Sequence, residues 1–385
     1  MPFSLPQSVT EALLRLNAHG FEAYLVGGCV RDMLMGIPPH DFDICTSALP
    51  EETMQCFADV RVIETGIKHG TVTVILHGEP LEITTFRTEG DYLDGRHPSS
   101  VAFTRSLEND LMRRDFTVNA MAYHPEKGLT DLYGGRQDIE RKLLRCVGDP
   151  TERFTEDALR ILRALRFAAQ LGFEIDKATG DALHALRGRL SLISRERIAA
   201  ELLRMLASPH APQVLHLYGD VFLAALPDCT RFDIDALKKA PEGHTLLRTA
   251  SLLHGDPNAQ AVLKSLKLST AFTEDSLMLI DAYDAKIEPR EVPLWLAKMG
   301  KERFDALLLL REKQERQTLL KEVRRALDEH LPFSVRDLAI NGRDLIAAGL
   351  PAGPHIGELL ESLHKEVLMR KIPNDRDALL KRIKE

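Results

Sequence analysis

The 385-residue chain is poor in cysteine: Cys29, Cys45, Cys56, Cys146 and Cys229 form an odd, scattered set with no CxxC pair. That scatter argues against a disulfide framework or a cysteine-rich zinc site and suits reduced thiols in the cytoplasm. No stretch approaches the ~18 uninterrupted apolar residues of a membrane span. The opening MPFSLPQSVTEALLRL lacks a basic leader and soon meets Glu11 and Arg15, so it does not read as a secretory signal. Aromatic residues make up 6%, with one tryptophan, Trp295, expected in a core. Positive charge is not in excess: 50 Lys and Arg stand against 57 Asp and Glu, a formal balance of −7. A surface for nucleic acid would therefore have to be local. GxGxxG and GxxxxGK[ST] are absent, which removes the dinucleotide and P-loop readings, and the absence of HExxH argues against an attached metal phosphohydrolase domain. His69 and His97 have no second ligand at metal spacing. No repeat or low-complexity tract occurs.

What is present divides into two halves. An apolar fraction of 44% with 28% charged residues describes a globular chain, and the length suggests two to three domains. Ser8 followed by Glu11 reads as a capping box and Gly20 as a stop, predicting a helix over 8–19. AYLVGG (23–28), DFDICT (41–46), VRVIET (60–65), TVTVIL (71–76) and LEITTF (81–86) read as strands. From Thr151 onward apolar residues recur at three- and four-residue spacing with no convincing strand, so 151–385 is expected to be all helical.

Asp41 and Asp43, at i and i+2 in an expected strand, would project from one face, where carboxylates can hold hard cations such as Mg²⁺. Alone the pair says little, because 57 acids in 385 residues yield about eight such pairs by chance. Gly27-Gly28 add a turn at which backbone can approach phosphate, followed by a helix start and Arg31. Asp157, Arg160, Arg163 and Arg166 recur every third residue, a basic ridge without acids at i+4 that calls for an anionic partner or solvent.

Together GGCVRDMLMG and DFDICTSALP resemble the catalytic signature of the class II tRNA nucleotidyltransferase and bacterial poly(A) polymerase superfamily, within the polymerase-β-like nucleotidyltransferases. TEGDYLDGRHPSSVAF (88–103), RRDFTVNAMA (113–122), EDALRILRALRF (156–167) and SRERIAAELLRML (194–206) resemble its successive motifs in order. INGRDLIAAGLPAGPHIGELL (340–360) is similar to the C-terminal region of short bacterial CCA-adding enzymes. The resemblance implies an α/β nucleotidyltransferase head (1–150) followed by an all-α neck (151–210), body (211–315) and tail (316–385), elongated overall.

The resemblance also implies residue roles. Asp41 and Asp43 would hold two Mg²⁺ ions, with Glu82 as a third carboxylate able to deprotonate the primer 3′-hydroxyl. Gly28 and Arg31 would contact the triphosphate and Arg114 the nucleotide, while Asp115 and Asn119 would sense the ribose. Asp157 and Arg160 would read the Watson–Crick edge of the base as an amino-acid template, a carboxylate accepting from the exocyclic amino group that C and A both carry. Arg163 and Arg166 would hold phosphates or the helix itself. Residues 88–103, with Asp91, Asp94 and Arg96, would be a mobile loop switching the site from C to A.

The implied activity is template-independent addition of C, C and A to the tRNA 3′ end from CTP and ATP. Alternatives are a poly(A) polymerase, a CC-only or A-only enzyme, or a non-catalytic RNA-binding protein on the same scaffold. The absence of an extended basic C-terminus favours the tRNA enzyme. Local basic excess at 311–325 and 365–385 offers an RNA surface that would recognise shape and backbone. No membrane partner is expected; the oligomeric state is left open, a homodimer included.

Overall fold

The computed structural model describes residues 3–64, 66–89 and 101–383. The chain forms two compact units, Met1–Asp228 with Ser265–Lys267, and Cys229–Lys264 with Leu268–Glu385. Among the described residues no helix is long and apolar enough to cross a membrane.

The first unit opens with α1 (Gln7–Ala18), which buries Val9, Ala12, Leu13 and Leu16 at helical spacing. The expected capping box is not formed. Pro6 occupies the N-cap and the Ser8 hydroxyl instead donates to Glu79 at 2.5 Å. The strands are β1 (Ala23–Val26), β2 (Asp43–Thr46), β3 (Val62–Ile63), β4 (Thr71–Leu76), β5 (Glu79–Thr85), β6 (Arg87–Glu89), β7 (Val101–Phe103), β8 (Met121–His124) and β9 (Gly128–Asp131). Seven of them make one mixed sheet in the order β3-β4-β5-β2-β1-β8-β9. β2 and β5 are parallel, in a register that sets Asp43 opposite Glu82; β4 and β5 form a hairpin closed by His77-Gly78. Both turn residues have positive φ, 51° and 82°, as a two-residue turn matching strand twist requires. Separately, β6 pairs with β7. The expected C-to-A loop residues Asp91, Asp94 and Arg96 lie outside the described residues.

Interspersed helices are α2 (Gly28–Leu34), α3 (Pro50–Cys56), α4 (Leu107–Met112) and α5 (Gly135–Arg141). Leu25, Val30, Ile44, Phe57, Val72, Ile83 and Met121 meet in the head core. After the sheet come α6 (Pro150–Glu156), α7 (Leu159–Leu171), α8 (Lys177–Leu186), α9 (Arg195–Ala207), α10 (Ala211–Leu217) and α11 (Gly219–Ala225). One strand was not expected here. Glu174–Ile175 pairs in parallel with Leu143–Leu144, two residues each, too short to show a period of two.

The later helices are α12 (Ile234–Lys239), α13 (Thr245–Leu252), α14 (Ala259–Ser265), α15 (Thr270–Ala282), α16 (Val292–Leu308), α17 (Lys313–Asp328), α18 (Gly342–Ala347), α19 (His355–Leu368) and α20 (Arg376–Arg382). They build two cores, one around Leu247, Leu279, Leu296, Phe304 and Leu319, the other around Ile340, Leu345, Leu363, Val367 and Leu379. Trp295 packs on the first, with Lys298 over its ring. Several cations of the basic segments are committed within the protein: Arg311 donates to the Tyr283 and Ala285 carbonyls, while Arg325 and Arg370 share Glu329. Arg376 pairs with Asp344 and Arg382 with Glu366.

Gly135 shows how tightly the head is packed, since a Cβ there would stand 2.2 Å from the Thr117 carbonyl oxygen. That atom is backbone and cannot swing aside. Gly135→Ala is expected to cost about 1–3 kcal/mol through overpacking, read as a lowered midpoint in urea unfolding. An unchanged midpoint would show that the Thr117 turn yields freely.

Candidate active site

β1 delivers the chain into the Gly27-Gly28 turn. Gly27 has φ 76° and ψ −132°, a conformation side chains resist, and a Cβ on it would lie 3.2 Å from Arg114 Nη1. α2 then starts at Gly28 and presents Arg31. Arg31 Nη1 donates to Asn119 Oδ1 at 2.7 Å, and its Nε to Asp32 Oδ1 at 2.9 Å. Asn119, in the one-turn helix Thr117–Asn119, donates from Nδ2 to Asp115 Oδ1 at 3.3 Å. Asp115 Oδ2 accepts from Arg163 Nε and Nη2 at 2.8 and 2.6 Å. A continuous polar chain thus runs from α2 to α7. Burial would raise the Asp115 carboxyl, but Arg163, Arg160 and Asn119 outweigh it and bring the pKa down to about 2.

The expected single ridge is broken. Asp157 has φ −131° and ψ 104° and ends α6, so it stands at the junction with α7, where its Oδ1 accepts from Leu159 N at 2.9 Å. Its Oδ2 accepts from Arg197 Nη2 at 3.0 Å, leaving one lone pair on each oxygen for further donors. Nor do the arginines lack acids. Arg160 reaches back to Glu156 at 2.5 Å, the i−4 direction, and donates to the Arg113 carbonyl oxygen at 2.9 Å. Arg166 is buried in an ion pair with Glu201 at 2.5 Å and is not among the residues lining the cleft.

Asp110, fully buried, receives Arg113 at 2.7 Å and Arg114 at 3.0 Å. Burial acts to raise its carboxyl, yet the two guanidinium groups hold it below the ordinary range. Asp43 behaves oppositely: desolvation and Glu82, with a smaller push from Asp41, raise it against the pull of Arg114. Asp41 does not share the strand face as expected. It lies in the bend before β2, 81% exposed, and pairs with His40 at 2.9 Å. Asp41, Asp43 and Glu82 nevertheless line one groove, with Thr73 and Glu79. Among the described residues no three His, Cys, Asp or Glu side chains already converge as a metal cage. The donor chemistry still fits a hard divalent cation, because carboxylates close enough to raise the Asp43 carboxyl are relieved by a positive ion.

Asp43 borders a second cleft of about 410 Å³, lined by Gly27, Gly28, Arg31, Asp115, Asn119, Asp157, Arg160, Arg163 and Arg114. Eight of the expected site residues thus meet there with Asp43, and Gly27 of the expected glycine turn stands beside them. Arg113, Arg197, Leu159 and Phe167 were missed, although Arg113 adjoins Arg114 and Arg197 lies in the SRERIAAELLRML motif. Six arginines against three aspartates give this cleft the positive field that the whole chain lacks.

The fold and cleft define a nucleotidyltransferase of the poly(A) polymerase type: the family model described as the poly(A) polymerase head domain matches residues 23–145. A model of a probable RNA- and SrmB-binding site of polymerase A matches 172–221, and one of a putative domain 2 of tRNA nucleotidyltransferase matches 243–383. The CCA-adding enzyme of Streptococcus mutans is 38% identical over 400 residues, covering 98% of this chain and 97% of its own. That of Geobacillus kaustophilus is 38% identical over 393 residues, covering 95% and 93%. The crystal structure of the Bacillus stearothermophilus CCA-adding enzyme in complex with CTP aligns with a TM-score of 0.82 at 32% identity, covering 98% and 97%. The chain belongs to the family of CCA-adding enzymes, tRNA nucleotidyltransferases, and that membership implies use of a divalent metal.

Asp115 carries a prediction with a definite sign. Its carboxyl is depressed on folding, from 3.8 to about 2, so it adds stability above pH ~4 that is lost as pH falls through that window. Asp115→Asn is expected to cost on the order of 2–3 kcal/mol at pH 7. The gap to the parent should narrow as pH falls from 4 toward 2 in denaturant titrations. A gap that stays constant across that range would remove the ion pair from the stability of the site.

Proposed function

We propose that this chain adds C, C and A to the 3′ end of tRNA from CTP and ATP, with the two clefts that meet at Asp43 as the reaction centre. The observation that carries the reading is their juxtaposition: an acidic groove with Asp41, Asp43 and Glu82 on one side, and an arginine-lined cleft ending at Asp157 and Arg160 on the other. The tRNA 3′-hydroxyl attacks the α-phosphorus; the new phosphodiester forms as the α–β anhydride bond breaks, and pyrophosphate leaves. Glu82 would take the hydroxyl proton, a role supported by its register opposite Asp43. Asp41 and Asp43 would hold two Mg²⁺ ions, which supply charge neutralisation at the attacking and leaving oxygens.

Gly28, Arg31 and Arg114 receive the triphosphate, and Arg163 adds charge while holding Asp115. Asp115 and Asn119 face the ribose, Asn119 through an amide already oriented by Arg31. Asp157 and Arg160 read the base edge. For Asp157 the support is its fixed orientation: Arg197 and Leu159 N each occupy one lone pair. The helices of 211–315 and 316–385 hold the tRNA, and exposed Lys313, Lys321, Arg324 and Lys371 suit contact with its backbone. Five buried thiols without a disulfide fit a cytoplasmic protein.

The test is incorporation of labelled CTP and ATP into tRNA lacking its 3′ end. Asp43→Ala should abolish C and A addition together, since one centre serves every transfer; loss of one alone would break the shared-site reading. Asp157→Ala or Arg160→Ala should admit UTP and GTP, costing on the order of 1–3 kcal/mol of discrimination. Unrelaxed exclusion of both nucleotides would remove the template role. Transfer of A alone onto any RNA would identify a poly(A) polymerase.

A further inference from the structure

Phe167 lines the arginine-rich cleft yet has no polar atom to offer a substrate. Its ring is ringed by cations: the Arg166, Arg163 and Arg31 guanidinium carbons lie 3.9, 5.3 and 5.5 Å from its centroid. All fall inside the ~6 Å at which the ring quadrupole attracts a cation. Phe116 meets the same ring edge-on at 5.8 Å, which limits its tilt. Arg166 lies behind the cleft wall, so Arg31 and Arg163 are the two that share the lining with Phe167.

Each of those two is gripped by hydrogen bonds along its edge, Arg31 by Asp32 and Asn119, Arg163 by Asp115. Edge bonds fix where a guanidinium sits but restrain rotation about the bonded edge only weakly. An aromatic ring supplies the missing restraint and sets electron density, rather than a third carboxylate, near two like charges. A carboxylate at that place would cancel the field an anionic ligand needs.

We propose that Phe167 is a positioning residue for the triphosphate, acting through Arg31 and Arg163, whichever base the nucleotide carries. This rests on the reading that the cleft takes a nucleoside triphosphate. Arg31 belongs to the head and Arg163 to α7, so one ring aligns phosphate donors from two layers of the unit.

The experiment places pentafluorophenylalanine at position 167, which keeps the ring's shape and reverses its quadrupole, and compares it with Phe167→Leu and Phe167→Tyr. KM and kcat are measured with CTP and with ATP, and inorganic tripolyphosphate binding by calorimetry. The fluorinated protein and Phe167→Leu should raise both KM values about tenfold with kcat held within about twofold, and weaken tripolyphosphate by the same factor. Phe167→Tyr should stay within about twofold of the parent. A fluorinated protein that matches the parent, or a rise confined to one nucleotide, would overturn the proposal. Should the parent bind tripolyphosphate in this ring-dependent way yet fail to extend tRNA, the functional reading falls and the positioning role stands.

Discussion

Concentrating six guanidinium groups around one cleft is tolerable only because every one is held by a carboxylate. Arg31 has Asp32, Arg113 and Arg114 share Asp110, Arg160 has Glu156, Arg163 has Asp115, and Arg197 has Asp157. Without those partners, like charges at this density would repel one another and pull the surrounding elements apart. Much else follows from meeting this constraint. α4 must carry Asp110 into the interior, the Thr117 turn must bring Asn119 between Arg31 and Asp115, and α9 must run beside α7 to supply Arg197 and Glu201.

The pairing also bears on catalysis. Arginines locked along their edges need little rearrangement when an anion arrives, and dipoles fixed in advance stabilise developing charge better than mobile ones. The ion pairs do not neutralise the cleft, because Asp110, Glu156 and Asp32 stand outside its lining while all six arginines belong to it. Those three acids sit behind the cations, while Asp115 and Asp157 share the lining with the arginines they hold. Asp43 then marks the boundary at which the sign of the surface changes from arginine to carboxylate.

How much of this was legible in the sequence depended on range. TVTVIL (71–76) and LEITTF (81–86) were legible as strands from local composition, whereas the parallel pairing that sets Glu82 of the second opposite Asp43 joins segments about forty residues apart and was not. Motif order was enough to single out Arg31, Arg114, Asp157 and Arg160. The acidic partners were not legible where pairing is distant: Arg163 finds Asp115 48 positions away and Arg166 finds Glu201 35 away. A scan for acids at i+4 cannot see either. The break at Asp157 was hidden for a different reason, since Glu156, Asp157 and Ala158 carry no proline or glycine to announce it. There the tertiary bond to Arg197 accompanies a departure from helix that local propensity does not favour.

The negative balance of the whole chain is consistent with a polyanionic substrate once charge is treated locally. Coulomb interactions are screened over about 8–10 Å at ordinary ionic strength, so distant acidic surface weakens binding in the cleft only slightly. In the later helices Arg325, Arg370, Arg376 and Arg382 are tied to glutamate and aspartate, while Lys313, Lys321, Arg324 and Lys371 stand exposed. A surface of that mixed kind would hold an RNA backbone by a few contacts rather than by a dense basic patch, and such a grip would weaken only modestly with salt. Under the proposed function a modest grip would suit release of the product, with tight phosphate binding kept to the small cleft and looser binding to the surface.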